Sequence, residues 1–231
     1  LALIQPQLRY DPLKIFDMAV EMLRTHTISG TYETGYFARY TNNYPLTILT
    51  YWFLLLLSKL GVPESWFMPA VQIVNIVCIT LSIWLGYRIA KELKGRLFAT
   101  FFLVVCVLCP LSYVWAGYYY TATCSMPCLM GILYLYLRIR KNGVSGSRRK
   151  VLLFALLGLI TVLGFKLRAT AAIAFIAVML DFLLRIWRRR HSGKAGFLSA
   201  LRVHGRGWLL SGAAFLLTAG LTLGLFSAAT E

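Results

Sequence analysis

The chain has 231 residues, of which 59% are hydrophobic and 14% charged, and its mean hydropathy is +0.69. This apolar content excludes an ordinary soluble domain and predicts an integral membrane protein. The net charge of +16 does not indicate nucleic-acid binding, because the basic residues concentrate in short loops between apolar runs, as in cytoplasmic membrane loops. We therefore expect a lipid bilayer as the partner, and no nucleic acid.

Residues 1–66 are expected to form an extracytoplasmic first loop. The stretch RYDPLKIFDMAVEMLRTHTISG places Asp11 at a helix N-cap, Pro12 at the first helical position and Gly30 in a breaker, which predicts a helix over about 11–29. Its apolar side suits a helix lying in the membrane interface.

A second apolar run, 44–60, is a borderline membrane span. As a helix it would reach only about 25 Å, against the ~30 Å of a hydrocarbon core. Acidic and basic residues balance over 1–66, without the excess of positive charge typical of cytoplasmic loops. The balance favours a second juxtamembrane helix outside the membrane.

The loop TYETGYFARYTNN joins these two helices and is rich in aromatic residues. Such residues form an interfacial aromatic belt or a platform on which a sugar stacks, and the sequence leaves both interpretations open. The loop ends in a Y-x-N-N-Y motif made of Tyr40, Asn42, Asn43 and Tyr44.

Residues 67–231 are predicted to form a transmembrane bundle of about six spans. The apolar runs that define the spans are 67–87, 97–115, 120–137, 151–165, 169–184 and 208–228. Basic residues dominate the segments 88–96, 138–150 and 185–206, which the positive-inside rule assigns to the cytoplasm. The first loop then lies on the outer face.

This order of parts resembles glycosyltransferase family 39 of the GT-C membrane superfamily, which includes protein O-mannosyltransferases and lipid A aminoarabinose transferases. The similarity rests on an early Asp before an amphipathic helix, the Y-x-N-N-Y motif, a YP run ending in KLG and a span ending in YRIAKELKGR. It implies an all-α polytopic membrane protein with a GT-C-like helix bundle and juxtamembrane helices in the first outer loop. It also implies that this chain is the N-terminal part of a longer protein.

The resemblance implies an inverting transfer of a sugar from a polyprenyl-phosphate donor to an acceptor on the outer face of the plasma membrane. The acceptor is a glycan, a glycolipid or a protein. Asp11 matches the early outer-loop acid of the family and would act as the general base, with Asp17 as the reserve. The alternative is that Asp11 only caps its helix. Ala122 stands where similar proteins often carry an acid, so this chain departs from the family at that position.

Candidate ligands for the leaving phosphate are the paired cations Lys166 and Arg168 in GFKLRATA, with Arg39 and Arg9 as further candidates. The alternative for the pair is contact with lipid headgroups. The loop expected to meet sugar or acceptor comprises Tyr40, Asn42, Asn43, Tyr44 and Tyr120.

No cofactor is evident, and no cluster of metal ligands is visible, although some GT-C enzymes use a divalent metal. Two other functions stay open at this point. The short, interrupted spans also suit a transporter or flippase for a lipid-linked sugar. The missing acid at Ala122 also suits a non-catalytic membrane scaffold.

Overall fold

The computed structural model describes residues 10–26, 35–141 and 148–191, and helical positions scattered between 212 and 224. Throughout these residues the chain is helical with short turns, and no strand occurs among them. The helices are α1 (Asp11–Thr25), α2 (Tyr36–Arg39), α3 (Tyr44–Lys59), α4 (Phe67–Lys94), α5 (Arg96–Leu108), α6 (Pro110–Ala116), α7 (Thr121–Lys141), α8 (Arg148–Leu167) and α9 (Ala171–His191). The all-α prediction is confirmed for the described part of the chain.

The N-terminal helix α1 starts one residue earlier than the sequence predicts. Tyr10 holds the N-cap position and Asp11 is the first helical residue, so the prediction of Asp11 as the N-cap is wrong. No side chain caps this helix, and the Asp11 carboxylate instead accepts a hydrogen bond from Tyr120. Ile15 and Ala19 form the buried side of α1 and pack against α3.

Helix α3 is a partner of α1. It has 16 residues and therefore rises about 24 Å, less than the ~30 Å of a bilayer core. Leu46 and Leu54 of α3 join Ile15 of α1 and Phe67 of α4 in one apolar core. This core fixes the α1–α3 pair against the first turns of the long helix α4.

Two helices in the described ranges, α4 and α7, are long and apolar enough to cross a membrane, and the pair α5–α6 adds a third if it is counted as one span. The axes of α5 and α6 are bent by 61°, so the predicted span 97–115 is interrupted. The break lies at Cys109, whose ψ of 114° is extended. Pro110 causes it, because proline lacks the N–H that a continuous helix needs and disfavours helical geometry in the residue before it.

Helix α7 lies at the centre of the bundle, between α4 and α8, and α9 packs on both α7 and α8. Tyr136 of α7 donates a hydrogen bond to Asp181 of α9 and ties these helices together. Gly95, with a φ of 87°, makes the tight turn from α4 to α5, a conformation that favours glycine. Most of the predicted span 208–228 lies outside the described residues.

Candidate functional site

A hydrogen bond to Asp11 joins the first loop to the bundle. The hydroxyl of Tyr120, the residue just before α7, donates to Asp11 Oδ2 at 3.0 Å. Pro12 helps to start α1 at this point, which holds the carboxylate at the head of that helix. Two residues that the sequence nominated separately, the acid and the second-loop tyrosine, are therefore in direct contact.

Tyr36 and Asn43 complete a polar cluster around this carboxylate. Tyr36 also hydrogen-bonds Asp11, and Asn43 Nδ2 donates to the Tyr36 hydroxyl at 2.5 Å. Asn43 is fully buried and also interacts with Tyr120. We call these four residues, Asp11, Tyr36, Asn43 and Tyr120, the carboxylate cluster.

Both phenols of the carboxylate cluster are held in the protonated form. Burial raises the pKa of Tyr36 above its ordinary value, and the hydrogen bond to Asp11 raises it further. The pKa of Tyr120 is raised by the same two causes. The hydrogen bonds with Asn43 lower the pKa of both tyrosines by a smaller amount. Asp11 therefore accepts hydrogen bonds from two neutral donors, which orient the carboxylate and leave it acceptor sites for a third partner.

The Y-x-N-N-Y motif is divided by the fold. Asn43 belongs to the carboxylate cluster, whereas Tyr44 is buried in a core with Met18 and Met22 and packs edge-on against Phe37. Tyr40 and Asn42 stay exposed beside the cluster. Asn43 is thus the one motif residue within the carboxylate cluster, and Asn42 and Tyr40 contact it from outside, through a hydrogen bond to Asn43 and a ring contact with Tyr36.

The predicted cations lie on different parts of the chain. Lys166 lies in the last turn of α8 and Arg168 in the following turn, and α8 contacts the turn Thr41–Asn43. Both side chains are half-buried, and neither forms an ion pair or hydrogen bond with any residue the structure describes. Arg39 is exposed and lies 5.7 Å from the ring centre of Tyr40. Arg9 lies outside the described residues.

An apolar groove of about 490 Å³, which we call the main groove, runs between α3, α4, α7 and α8. Its walls are formed by Leu46, Leu49, Phe53, Val74, Cys78, Leu81, Leu85, Tyr119, Cys124, Pro127, Cys128, Gly131, Tyr134, Leu135, Ile160, Leu163 and Leu167. Leu49, Leu81 and Leu163 keep much of their surface exposed, so the groove opens sideways between helices.

One end of the main groove adjoins the carboxylate cluster. Tyr119, at this end, is followed by Tyr120, and its own hydroxyl shares a 2.9 Å hydrogen bond with Thr50. Leu167, also at this end, stands between Lys166 and Arg168 in the chain. A carboxylate and two phenols therefore lie beside one end of a long apolar surface, and two cations flank its residue Leu167 in the chain. The combination suits an amphiphile with an anionic head.

The family model described as "Conserved hypothetical integral membrane protein" matches residues 2–220. The chain belongs to this family. No curated protein and no solved structure matches it. Membership establishes an integral membrane protein, in agreement with the apolar helices α4 and α7.

In this integral membrane protein, Ala122 faces away from the carboxylate cluster. It lines a second apolar cavity of about 450 Å³, on the α5–α6 side of α4 and α7, together with Phe102 and Trp115. An acidic side chain at this position would thus lie in the lining of an apolar cavity. The tyrosine two positions earlier, Tyr120, is the residue of this loop that reaches Asp11.

Asp17 is placed apart from the carboxylate cluster. It is exposed on α1, and its described electrostatic neighbour is Lys14. Among the described residues, no group of three or more His, Cys, Asp or Glu side chains comes together to hold a metal ion. A role for a divalent metal stays a prediction.

Tyr36 was not singled out from the sequence as a site residue. It lies in an aromatic-rich loop in which nothing distinguishes one tyrosine from the next, and its partners are on α1 and at the start of α3. The sequence feature that could have indicated Tyr36 is its spacing to Asn43. A short helix, α2, followed by a turn brings these two residues, seven positions apart, into contact.

Proposed function

We propose that this protein is an inverting glycosyltransferase that moves a sugar from a polyprenyl-phosphate donor to an acceptor hydroxyl. The observation that carries the proposal is the oriented carboxylate of Asp11, hydrogen-bonded by Tyr120 beside the mouth of the main groove. The GT-C-like arrangement, several membrane crossings and a site on the outer face of the plasma membrane belong to the same proposal.

Asp11 is proposed as the general base. Its carboxylate has two phenol donors, and phenols with raised pKa values keep their protons, so they orient the base without protonating it. The hydroxyl of the sugar acceptor can donate a hydrogen bond to a remaining lone pair of the carboxylate. General acid–base assistance of this kind contributes about 10²- to 10⁴-fold in rate.

The chemical step is a single displacement. As the acceptor oxygen bonds to the anomeric carbon, its proton passes to Asp11. The bond from that carbon to the phosphate oxygen breaks on the opposite face, and its electron pair leaves with the polyprenyl phosphate. One displacement inverts the anomeric centre.

Lys166 and Arg168 are proposed to hold the phosphate. They are half-buried cations with no acceptor among the described residues, and they flank Leu167 at the mouth of the main groove. Cations placed where charge develops on a leaving group stabilise the transition state. Arg168 can bind two phosphate oxygens at once through its planar guanidinium.

The main groove is proposed to hold the polyprenyl tail. Its lining is apolar, and each CH₂ group removed from water contributes about 0.8 kcal/mol. The lateral opening at Leu49, Leu81 and Leu163 lets a tail enter directly from the surrounding lipid. The acceptor then approaches the carboxylate cluster from the exposed side of Tyr40 and Asn42.

The test is release of free polyprenyl phosphate from a panel of lipid-linked sugars by membranes that contain the full-length protein. Asp11→Asn keeps the shape of the side chain and removes its basicity, so release should fall by at least about 10²-fold. Glu21→Gln makes the same chemical change on the same helix at an exposed position and serves as the control.

Four outcomes separate the hypotheses. Release by wild type and Glu21→Gln but not by Asp11→Asn supports both the transferase and its base. Release by Asp11→Asn equal to that by wild type would show that Asp11 is not the general base. Movement of intact donor across the bilayer without release would instead support a transporter, and neither release nor movement on any donor would support a scaffold.

A further inference from the structure

The far end of the main groove carries a second polar group, made of Arg88 and Tyr134. Arg88 Nη2 donates a hydrogen bond of 2.9 Å to the Tyr134 hydroxyl. Its guanidinium carbon lies 5.2 Å from the ring centre of Trp84 and 5.5 Å from that of Tyr134. Cation–π contacts with two rings hold the guanidinium in one orientation.

Positive charge is in surplus at this end. Glu92 is shared by Lys141 at 2.7 Å and Arg138 at 3.5 Å, so its charge is already matched. Arg88 has no acidic partner among the described residues. Its remaining guanidinium N–H groups, and the O–H of Tyr134, are donors placed to bind an anion.

This basic end is continuous with an apolar surface. Tyr134 lines the main groove together with Leu85 and Leu135. Tyr120 and Tyr134 are separated by 14 residues, most of them within α7, so the Arg88 end lies about 20 Å from the carboxylate cluster. The groove therefore has a distinct polar group at each end, and the Arg88 end combines hydrogen-bond donors with an apolar surface.

We propose that the Arg88 end binds an anionic phospholipid from the bilayer. The phosphate accepts hydrogen bonds from Arg88 and Tyr134, and one acyl chain lies along Leu85 and Leu135, apart from the opening at Leu49, Leu81 and Leu163 through which the polyprenyl tail is proposed to enter. Basic pockets between membrane helices favour anionic headgroups, and the surplus positive charge disfavours a choline group at the same place. The proposal does not depend on Asp11 or on transferase activity.

The first experiment compares lipid retention by native mass spectrometry of the purified full chain. The probes are phosphatidylglycerol and phosphatidylcholine with identical acyl chains. Wild type should retain phosphatidylglycerol at least about tenfold better, and Arg88→Gln should lose about tenfold, the effect of one charge-assisted hydrogen bond. Arg140→Gln, an exposed arginine in the same helix as Tyr134, is the matched control and should retain the lipid.

An equal loss of phosphatidylglycerol retention in Arg88→Gln and Arg140→Gln would overturn the proposal, because it would show that the lipid is attracted to a basic surface in general. Equal retention of both lipids by wild type would also overturn it. Competition by glycerol phosphate at equal concentration would show a site for a free phosphate and not for a lipid.

A second measurement uses only the wild-type protein, so that a folding defect in a variant cannot decide the result. Phosphatidylglycerol with a photoreactive acyl chain is cross-linked in membranes, and the labelled peptides are identified. Labels on α4 and α7 around Leu85 and Leu135 are expected. Labels concentrated on α5 or α9, outside the main groove, would overturn the proposal.

Discussion

Tyr120 and Asp11 lie 109 positions apart in the chain, yet the tyrosine hydroxyl donates to the carboxylate at 3.0 Å. The bond joins the start of α1 to the start of α7, so the arrangement of the carboxylate depends on both the first loop and the bundle. Tyr36 and Asn43 add a third segment to the same point. Loss of the segment that carries Tyr120 or of the one that carries Tyr36 would leave the acid with one orienting donor.

Removal of the Tyr120 hydroxyl tests this bond. Tyr120→Phe keeps the ring and should lower the free energy of unfolding by about 1–2 kcal/mol, because the lost hydrogen bond has a charged acceptor that is only half-buried. On the proposed function, sugar transfer should also fall about tenfold, since one donor no longer orients the base.

The control is Tyr118→Phe. The ring of Tyr118 lies 6.2 Å from that of Tyr120, and its hydroxyl makes no hydrogen bond with the described residues. The equilibrium constant for unfolding and the rate of sugar transfer should both stay within a factor of about two of the wild-type values. A Tyr118 variant as impaired as the Tyr120 variant would show that the loop, and not the bond to Asp11, matters.

Alkaline pH should weaken the folded state through Tyr36. Its pKa in the folded protein is raised above the ordinary 10.0, so the unfolded chain releases this proton first as the pH rises. The stabilisation is complete below about pH 10 and is lost progressively above it. Melting temperatures measured from about pH 8 to about pH 11 should fall less steeply for Tyr36→Phe than for wild type. Tyr10→Phe, which removes an exposed hydroxyl, should follow the wild-type curve.

Gly164 should not tolerate a side chain. A Cβ at this position would lie 2.9 Å from both Ala171 Cβ and Cys128 Cβ, atoms held by the backbones of α9 and α7. Gly164→Ala should therefore lower the free energy of unfolding by about 1–3 kcal/mol, measured by denaturant titration in detergent.

Gly131→Ala is the matched control for this substitution. Its Cβ would meet Ile160 Cγ2 at 3.5 Å, an ordinary contact, and alanine favours a helix by up to about 1 kcal/mol over glycine. Stability should be unchanged or slightly increased. Equal destabilisation by the two variants would mean that close packing at Gly164 does not hold α7, α8 and α9 together.

Asn75 ties α4 to the end of the short helix α6. Its Nδ2 donates to the carbonyl oxygens of Trp115 at 2.8 Å and Ala116 at 2.9 Å. Asn75→Ala leaves both carbonyls without this donor and should lower the free energy of unfolding by about 2–4 kcal/mol.

Asn42→Ala makes the same change at an exposed residue whose side chain bonds only the neighbouring Asn43 among the described residues. Its effect should be below about 1 kcal/mol. The same denaturant titration compares the two variants. A small effect of Asn75→Ala would show that the end of α6 is held against α4 by other contacts.

Local signals in the sequence predicted most of the helices. Pro12 places the start of α1 within one residue, and the apolar runs place α4 and α7, because these features depend on neighbouring residues and on hydropathy. The interruption at Cys109 carried an equally local signal in Pro110. A hydropathy window averages over a proline, so the run 97–115 was predicted as one span.

The carboxylate cluster was only partly predictable. Asp11, Asn43 and Tyr120 were nominated, but no pattern in one segment indicates that they meet, since each lies on a different element. Tyr44 belonged to the same motif as Asn43 and was buried by the packing of α1 on α3. Adjacent positions in a turn point in different directions, which the motif alone does not resolve.

The sideways opening of the main groove determines which concentration controls the binding of the proposed lipid ligands. On the two proposals above, a lipid that enters past Leu49, Leu81 and Leu163 stays within the bilayer throughout. Its effective concentration is then its mole fraction among the membrane lipids, and the volume of surrounding water does not enter. Occupancy of either end of the groove should follow the composition of the leaflet that faces it, and dilution of the whole membrane suspension should leave that occupancy unchanged.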